Sequence, residues 1–258
     1  MADASIFRRL PQALRNRIQR LLGTAPSVSR RNVLYEIDVE FQNIRRESLR
    51  RTETPDGGAK SAEKLYNTLQ FFKAAAGSGG NIAECGVFRG LSAYVFCRYR
   101  RQAQPGFTGH GISLFDSFEG LSAPTSEDEV RVRGGGFIDS KFREKGAFKG
   151  GLEIVRKALK DFPDVAYHPG WIPSIFQGVP DTQYSFVHID VDLYEPTKGA
   201  IEYFFPRLQP GGVIVCDDYG FLHWPGAKHA MDEYCVPRGI PVIPLTTGQC
   251  VVLKPCGN

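Results

Sequence analysis

The sequence predicts an α/β fold in which helices cover both faces of a mostly parallel, seven-stranded sheet. From residue 81 onward, short apolar segments alternate with segments whose apolar residues recur at helical spacing. This alternation is typical of parallel strands joined by right-handed helical connections. The last two apolar segments are separated only by a short turn that contains Thr247 and Gly248. Because that turn is too short for a crossover helix, these two strands must be antiparallel neighbours.

The individual elements after residue 80 follow from this alternation. The predicted strands cover residues 81–86, 110–118, 165–170, 184–192, 211–220, 240–246 and 249–255. The predicted helices cover residues 91–100, 150–162, 195–208 and 225–235, with a shorter one at 173–179. Five strand–helix units followed by a terminal hairpin complete the predicted sheet.

The residues before this sheet have a different pattern. Apolar residues at helical spacing, interrupted by a TPDGG break, predict three helices at residues 6–22, 31–50 and 60–76. We therefore predict an N-terminal helical segment at residues 1–79, followed by an α/β domain at residues 80–258.

Composition and charge exclude several classes of protein. The net charge of the 258 residues is +4, but residues 1–31 carry +6, so the remainder is close to −2. A nucleic-acid-binding protein normally spreads its basic surface over the folded domain, so nucleic acid is not an expected partner. No apolar stretch approaches the ~20 residues of a membrane span, and the N-terminus lacks a signal-peptide core. The six cysteines contain no CxxC pair, so we expect free thiols in a cytoplasmic protein.

The basic amphipathic helix at residues 6–22 admits three interpretations. It can dock on the core or on a second subunit, which makes a homo-oligomer the expected assembly. It can instead contact an anionic membrane surface, or form a mobile arm. We favour docking, because amphipathic helices usually bury their apolar face against protein.

An acidic residue and two glycines form the turn after the first predicted strand. Glu84, Gly86 and Gly90 make an ExGxxxG pattern, and the absence of GxGxxG disfavours a dinucleotide pyrophosphate site. Gly86 permits a tight turn, and Gly90 lets the backbone approach a ligand. A carboxylate at this place suits a ligand with an amino-acid end, because it can pair with the ammonium. The alternative is that the pattern reflects turn geometry alone.

Asp116 ends the second predicted strand. An acid at this place can accept hydrogen bonds from both hydroxyls of a ribose, although it can also cap a turn or helix. Because Glu84 and Asp116 end consecutive strands, each strengthens the ligand-binding interpretation of the other.

Four aspartates lie at the carboxyl ends of the fourth and fifth predicted strands. Asp190 and Asp192 end the fourth predicted strand, and Asp217 and Asp218 end the fifth. Carboxylates held at neighbouring strand ends repel one another unless a cation neutralises them. Hard oxygen ligands without a Cys–His cluster suggest Mg²⁺, Ca²⁺ or Mn²⁺. The alternative is a set of capping carboxylates, Asp192 above all.

Three aromatic residues lie near these strand ends. His188 is on the carboxylate side of the fourth strand but deeper, so we expect a core histidine and not a catalytic one. His223 follows Asp218 on a loop and is a candidate site residue. Trp171 follows the third strand, where it can stack on an adenine or cap the core.

Six segments of the chain, considered together, carry a family resemblance. They are IAECGVFRGLSA, LFDSFEGL, PGWIP, FVHIDVDLYEPT, FFPRLQPGGVIVCDDYG and PGAKHAMDEY. In this order and spacing, from about residue 60 to 235, they resemble the macrocin O-methyltransferase (TylF-type) family. Its members are S-adenosylmethionine (SAM)-dependent enzymes, often metal-dependent, and known members methylate sugar hydroxyls. The resemblance implies a Rossmann-like class I SAM methyltransferase fold.

The resemblance also implies site residues. SAM would be held by Glu84, Gly86, Gly90 and Asp116, to which we add Ser92 and Trp171 as candidate cofactor-binding residues. Mg²⁺ or another divalent cation would be bound by Asp190, Asp217 and Asp218. The N-terminal helices and residues 119–148 would form lid elements. Two positions depart from the family pattern: Phe88 replaces a more usual tryptophan, and Leu193 stands where some related enzymes place a lysine or histidine base.

The expected reaction is direct transfer of the SAM methyl group to a hydroxyl, in particular a sugar hydroxyl of a glycosylated metabolite or glycan. Asp190 is the favoured proton acceptor, with Asp192 and His223 as alternatives. One rival hypothesis is a nucleotide-sugar glycosyltransferase that uses the DxD at 190–192, but it leaves Asp116 unexplained. Another is a non-catalytic SAM-binding protein, which leaves the four aspartates unexplained.

Overall fold

The computed structural model describes residues 33–77, 79–132, 136–137 and 144–256. The chain divides into two compact units, residues 1–37 and residues 38–258. The described part of the first unit contains one short helix, α1 (Leu34–Ile37). The predicted basic helix at residues 6–22 lies outside the described residues, so its roles stay predictions.

The second unit is built on a seven-stranded mixed sheet. The strands in chain order are β1 (Asn81–Cys85), β2 (Ile112–Asp116), β3 (Arg131–Val132), β4 (Gly136–Phe137), β5 (Ala166–Pro169), β6 (Tyr184–Ile189), β7 (Leu208–Cys216), β8 (Val242–Pro244) and β9 (Cys250–Leu253). The sheet has the order β5-β2-β1-β6-β7-β9-β8, while β3 and β4 pair separately. The first five strands in this order are parallel, and β9 is antiparallel to both of its neighbours. The predicted fold class is thereby confirmed.

Helices cover this sheet. They are α2 (Val39–Thr52), α3 (Gly58–Ala76), α4 (Leu91–Ala103), α5 (Leu152–Ala158), α6 (Tyr194–Arg207) and α7 (Pro225–Cys235). Local sequence explains several of their ends: the Asp38 carboxylate accepts a hydrogen bond from the Phe41 N–H at 2.9 Å and caps α2, and Pro225 begins α7. Within the described ranges, every helix is too short or too polar to cross a lipid bilayer.

The helices before the sheet are part of the same compact unit as the sheet. In α3, Leu65, Leu69 and Phe72 are buried, and the helix contacts β6 and β7. The Phe72 ring stacks on Phe96 of α4 at 4.7 Å and meets Phe186 of β6 edge-on at 5.4 Å. The apolar faces of α2 and α3 are buried within the unit formed by residues 38–258. The switch from helices alone to alternating strands and helices at residue 80 therefore occurs inside one compact unit. The lid and oligomerisation roles of residues 1–79 stay predictions.

The fourth strand of the sequence pattern ends earlier than predicted. We expected it to continue to residue 192, but β6 ends at Ile189. The chain then turns, with Asp192 at a φ of 60° and the Leu193 N–H donating to the Val191 carbonyl at 2.6 Å. This turn allows α6 to begin at Tyr194, and it places Asp190 and Asp192 beyond the sheet instead of on one face of it.

The interior also accommodates the cysteines. All six are free thiols, and five of them are buried. Burial raises the pKa of the Cys97 thiol above its usual value, so this group stays protonated and behaves as an apolar side chain.

Candidate active site

A cavity of about 570 Å³ opens at the carboxyl ends of the central parallel strands. Ligands of open α/β sheets bind at this edge, where the loops after neighbouring strands diverge. Of the residues predicted for the site, the cavity is lined by Gly86, Ser92, Asp116, Trp171, Asp190, Asp192, Asp217 and Asp218. Strand pairing brings these residues together, because β6 lies between β1 and β7 in the sheet.

The glycine turn after β1 is packed tightly against the end of β6. Gly86 has a φ of 81°, and a Cβ atom added there would lie 1.8 Å from the Asp190 carbonyl oxygen. The Asp190 N–H also donates to the Cys85 carbonyl at 2.8 Å. Gly86 is therefore required both by its left-handed conformation and by the close approach of the Asp190 backbone. Gly90, at a φ of 88°, is the N-cap residue directly before α4 and is buried.

The Asp116 carboxylate holds this turn in place. Its Oδ2 accepts hydrogen bonds from the N–H groups of Val87 at 2.6 Å and Phe88 at 3.1 Å, and its Oδ1 accepts from Phe118 at 2.6 Å. Asp116 therefore does cap this turn, which is one of the two roles considered for it. The carboxylate nevertheless lines the cavity, and its Oδ1, which accepts one hydrogen bond, has a second lone pair with which to accept a hydroxyl.

A buried hydrogen-bonded chain runs beneath the cavity from the glycine turn to β7. Ser92 Oγ donates to Glu84 Oε1, which also lies 3.0 Å from His188 Nδ1. The other ring nitrogen, His188 Nε2, lies 3.3 Å from Asp217 Oδ1. Since carboxylates only accept hydrogen bonds, the ring satisfies both when it is protonated on both nitrogens.

The electrostatics agree with a charged imidazole. Burial alone would lower the pKa of His188, but hydrogen bonds to Asp217 and Glu84 raise that pKa well above its usual value. His188 is 3% exposed, so it is a core histidine, as predicted, but it also carries a charge that links two buried carboxylates. The second oxygen of Glu84, Oε2, is buried without a hydrogen-bond partner among the described residues.

Asp217 is neutralised by protein groups. Its Oδ2 lies 2.5 Å from Lys64 Nζ of α3, and its Oδ1 accepts from Gln249 Nε2 at 2.6 Å, in addition to the contact with His188. Burial would raise the pKa of Asp217, but the Lys64 ammonium and His188 hold it below its usual range.

The other three aspartates form a cluster that protein cations neutralise far less. One carboxylate oxygen from each of Asp190, Asp192 and Asp218 lies within 4.8 Å of the other two. Burial and the neighbouring Asp217 raise the pKa of Asp190 to about 6, and burial and Asp190 raise that of Asp192 to about 8. Burial and the charges of Asp192 and Asp190 raise the pKa of Asp218 well above its usual value. We call Asp190, Asp192 and Asp218 the carboxylate cluster.

The carboxylate cluster fits a divalent cation. Three oxygens at this spacing are hard ligands, and Asp218 Oδ2 is buried without a hydrogen-bond partner among the described residues. The sequence predicted Asp190, Asp217 and Asp218 as ligands, and this set stays a prediction. In the structure, Asp217 forms a group of the same spacing with His188 and Asp190, whereas Asp192 joins Asp190 and Asp218. Asp217 lies next to them, but Lys64, Gln249 and His188 already occupy its oxygens.

Of the two aromatic residues predicted for the site, Trp171 lies in the cavity wall and His223 lies outside it. Trp171 lines the cavity and is 36% exposed. His223 is exposed and is not among the lining residues. The aromatic residues that do line the mouth include Phe88, Phe148 and Trp224, with Phe148 6.4 Å from Phe88 and 6.3 Å from Trp224 between ring centroids.

Sequence reasoning missed two polar residues of the site, Lys64 and Gln249. Lys64 belongs to a row on α3, with Lys60 and Thr68, whose members are four residues apart and all line the cavity. That row is also what a solvent-exposed helix face looks like, so spacing alone could not identify it. Gln249 lies directly before β9 and has no motif around it.

Comparison with known proteins agrees with this geometry. The sequence profile described as macrocin-O-methyltransferase (TylF) matches residues 58–248. A 4'-O-methyltransferase of Streptomyces olivaceus, named for 8-demethyl-8-(2,3-dimethoxy-alpha-L-rhamnosyl)-tetracenomycin-C, is 32% identical over 64% of this chain and 62% of its own length. A mycinamicin III 3''-O-methyltransferase of Micromonospora griseorubida is 27% identical over 69% of this chain and 70% of its own length.

The fold has solved counterparts as well. The crystal structure of CalS11, a calicheamicin methyltransferase, superposes with a TM-score of 0.61 and 20% identity, covering 83% of this chain and 93% of that one. At this identity the similarity is one of fold. The chain spans about two thirds of the length of the relatives it matches in sequence.

Proposed function

Since this chain belongs to the macrocin O-methyltransferase (TylF) family, we propose that it transfers the methyl group of SAM to a sugar hydroxyl of a glycosylated metabolite or glycan. The observation that carries the proposal is the single cavity in which the glycine turn, Asp116 and the carboxylate cluster meet. The sugar acceptor is supported by the names of two relatives, which refer to a rhamnosylated tetracenomycin and to mycinamicin III.

The glycine turn side of the cavity suits the methyl donor. SAM supplies an electrophilic methyl group on a sulfonium and carries an ammonium, a ribose and an adenine. Glu84 Oε2 is a buried acceptor without a partner among the described residues; Glu84 does not itself line the cavity, but it accepts a hydrogen bond from Ser92, which does. Asp116 Oδ1 can accept one ribose hydroxyl while the carboxylate holds the turn. Trp171 offers a ring face for the adenine.

The carboxylate cluster suits a divalent cation, which we propose is Mg²⁺. Asp190 and Asp218 belong both to the set predicted from the sequence and to the carboxylate cluster; the third ligand is Asp217 in the first set and Asp192 in the second. A bound divalent cation lowers the pKa of a coordinated hydroxyl and orients it. The residues themselves hold the acceptor end of the cavity at a fixed distance from the glycine turn, because β1, β6 and β7 are adjacent, and such positioning supplies much of the acceleration.

The proton of the acceptor hydroxyl has a carboxylate to receive it. The oxygen–methyl bond forms as the sulfonium–methyl bond breaks, so the donor leaves as a neutral thioether and the hydroxyl must lose its proton. Asp190 and Asp192 both line the cavity, and either carboxylate can accept this proton directly or through a water molecule. His223 lies outside the cavity lining, so we assign it no role.

The proposal is tested with isotope-labelled SAM and extracts of glycosylated metabolites and glycans. We expect a product that has gained one labelled methyl group on a sugar oxygen, located by mass spectrometry. In parallel, the melting temperature should rise with SAM and stay unchanged with a UDP-sugar. Stabilisation by the UDP-sugar alone would favour the glycosyltransferase hypothesis. SAM binding without a methylated product in any extract would favour the non-catalytic one.

The assembly and the location of the protein stay predictions. We propose a homo-oligomer in the cytoplasm, with a small-molecule or glycan acceptor and without a nucleic acid partner.

A further inference from the structure

Lys64 places an ammonium among the carboxylates at the acceptor end of the cavity. We infer that this ammonium competes with a divalent cation for the oxygens of Asp217 and Asp218, so that Lys64 sets the affinity of the site for the ion. The inference rests on the proposed function only in treating these aspartates as part of a cation site.

The distances make the competition direct. Lys64 Nζ lies 2.5 Å from Asp217 Oδ2 and 3.8 Å from Asp218 Oδ1. An Mg²⁺ ion bound to that Asp218 oxygen at about 2.1 Å would lie within about 6 Å of the ammonium. Two cations at this separation repel strongly where both are shielded from water.

The helix that carries Lys64 cannot move away easily. Leu65 and Leu69 bury the neighbouring face of α3, and the Lys64 carbonyl accepts hydrogen bonds from Thr68 Oγ1 at 3.0 Å and Gln249 Nε2 at 3.3 Å. The ammonium also lies 4.8 Å from the centre of the Phe221 ring. Displacement of Lys64 from Asp217 therefore requires its side chain to turn towards the cavity, which its 23% exposure permits.

The charge balance gives the sign of the effect. Among the described residues, the cations that form ion pairs with Asp217 and Asp218 are Lys64 and His188. His188 shares its charge with Glu84 and is buried. Removal of the Lys64 charge makes the site more negative by one unit and also removes a repulsive neighbour of the ion. These are one electrostatic change, and it strengthens the binding of a divalent cation.

The test compares Lys64→Met with Lys60→Met. Lys60 lines the same cavity one helical turn earlier, is exposed, and forms no ion pair within the described ranges. Binding of Mn²⁺ is measured by isothermal titration calorimetry at one pH for the wild type and both variants. We expect Lys64→Met to bind Mn²⁺ at least about tenfold more tightly than the wild type, and Lys60→Met to bind it within about twofold of the wild type.

The same variants are compared by thermal unfolding. Lys64→Met should melt below the wild type in EDTA and gain more than the wild type from Mn²⁺. Unchanged or weaker Mn²⁺ binding by Lys64→Met, with binding by the wild type intact, would overturn this inference alone. Absence of Mn²⁺ binding in the wild type and in every variant would instead overturn the metal part of the proposed function, and the inference with it.

A measurement on the wild-type protein covers the case in which Lys64→Met does not fold. An amine-modifying reagent is applied with and without Mn²⁺, and labelling is mapped by mass spectrometry. If the ion displaces the ammonium, labelling of Lys64 rises several-fold while that of Lys60 stays constant. Protection of Lys64 by Mn²⁺, or equal labelling in both conditions, contradicts the competition.

Discussion

Individual carboxylates at the mouth of the cavity have different partners, although they look alike in the sequence. Asp217 is paired with Lys64, Gln249 and His188. Asp218 is its neighbour in the chain but has one oxygen without a partner in the described residues. The partners of Asp217 stabilise its anionic form. Asp218 has fewer such partners in the protein, so a bound cation would stabilise its anionic form. The roles of the two residues should therefore separate on mutation.

Asp218→Asn should abolish divalent-cation binding and lower kcat by about a hundredfold or more, because it removes a ligand common to both candidate sets. Binding of S-adenosylhomocysteine should stay within a few-fold of the wild type. Calorimetry and initial rates check both expectations. Asp181→Asn is the control, since Asp181 lies on the surface in an ion pair with Arg207. Full activity of Asp218→Asn in EDTA would contradict the metal role.

The third ligand is identified by comparing Asp192→Asn with Asp217→Asn. If Asp192 is a ligand, its substitution weakens Mn²⁺ binding by about tenfold or more, and the substitution of Asp217 acts mainly on stability through its lost partners. The reverse ranking of the two Mn²⁺ affinities would support the set predicted from the sequence, Asp190, Asp217 and Asp218.

His188→Leu should lower the free energy of unfolding by about 3–5 kcal/mol, because it leaves Glu84 and Asp217 buried without their shared cation. Urea unfolding measures the loss. His188→Gln should lose less, since it keeps hydrogen-bond donors. His110→Gln is the matched control, because His110 is exposed. Equal stability of His188→Leu and His110→Gln would show that the buried chain contributes no stability.

At the scale of elements, the turn after β1 and the turn after β6 are packed as a single unit. Gly86→Ala should lower the free energy of unfolding by about 3 kcal/mol and weaken SAM binding, because its Cβ would meet the Asp190 carbonyl. Gly106→Ala is the control: Gly106 has a φ of 88° but nothing within 4 Å of the added Cβ. The control should lose only about 1–2 kcal/mol, which is the cost of the left-handed conformation. Equal losses in both would exclude the close approach as the cause.

The turn after β6 also explains why the sequence placed the end of the fourth strand too late. Alternating apolar residues continue past Ile189 to Val191, so periodicity extends the fourth strand to the aspartates. The chain leaves the sheet at Ile189, because Asp192 adopts a left-handed conformation and α6 must begin. Hydrophobic period alone cannot detect a turn of this kind.

Over the whole molecule, the clustered acids make stability depend on pH. The pKa values of Asp190 and Asp192 in the folded state, about 6 and about 8, lie above the usual value of 3.8. The folded state therefore binds more protons than the unfolded state between these limits, and stability falls as pH rises through them. His188, with its raised pKa, acts in the same direction above its ordinary range. Asp217 has a lowered pKa and contributes no slope above about pH 5.

We therefore expect the melting temperature in EDTA to fall between pH 5 and pH 9, and Mg²⁺ to restore it most at the alkaline end, where the cluster is ionised. Scanning calorimetry at constant ionic strength checks this. Asp192→Asn should flatten the profile above pH 7. A melting temperature that rises with pH in EDTA would contradict the mutual repulsion of these carboxylates.

The sequence by itself shows the family segments and the order of strands and helices. It also shows the acidic residues that end β1 and β2 and those that follow β6 and β7. They depend on residue spacing along short stretches, and the comparisons confirm the family and the fold. The expectation that the aspartates of consecutive strands meet is also borne out, because β6 and β7 are neighbours in the sheet.

Only the tertiary structure decided how the charges are shared. Lys64 on α3 and Gln249 before β9 reach the same aspartate from opposite ends of the chain, and no local pattern marks either residue. The turn after β6 adds Asp192 to the cluster while Asp217 is drawn to protein partners. The pKa of Asp217 is therefore lowered while those of the other three aspartates are raised, because the energy of a buried charge depends on which groups the fold brings near it.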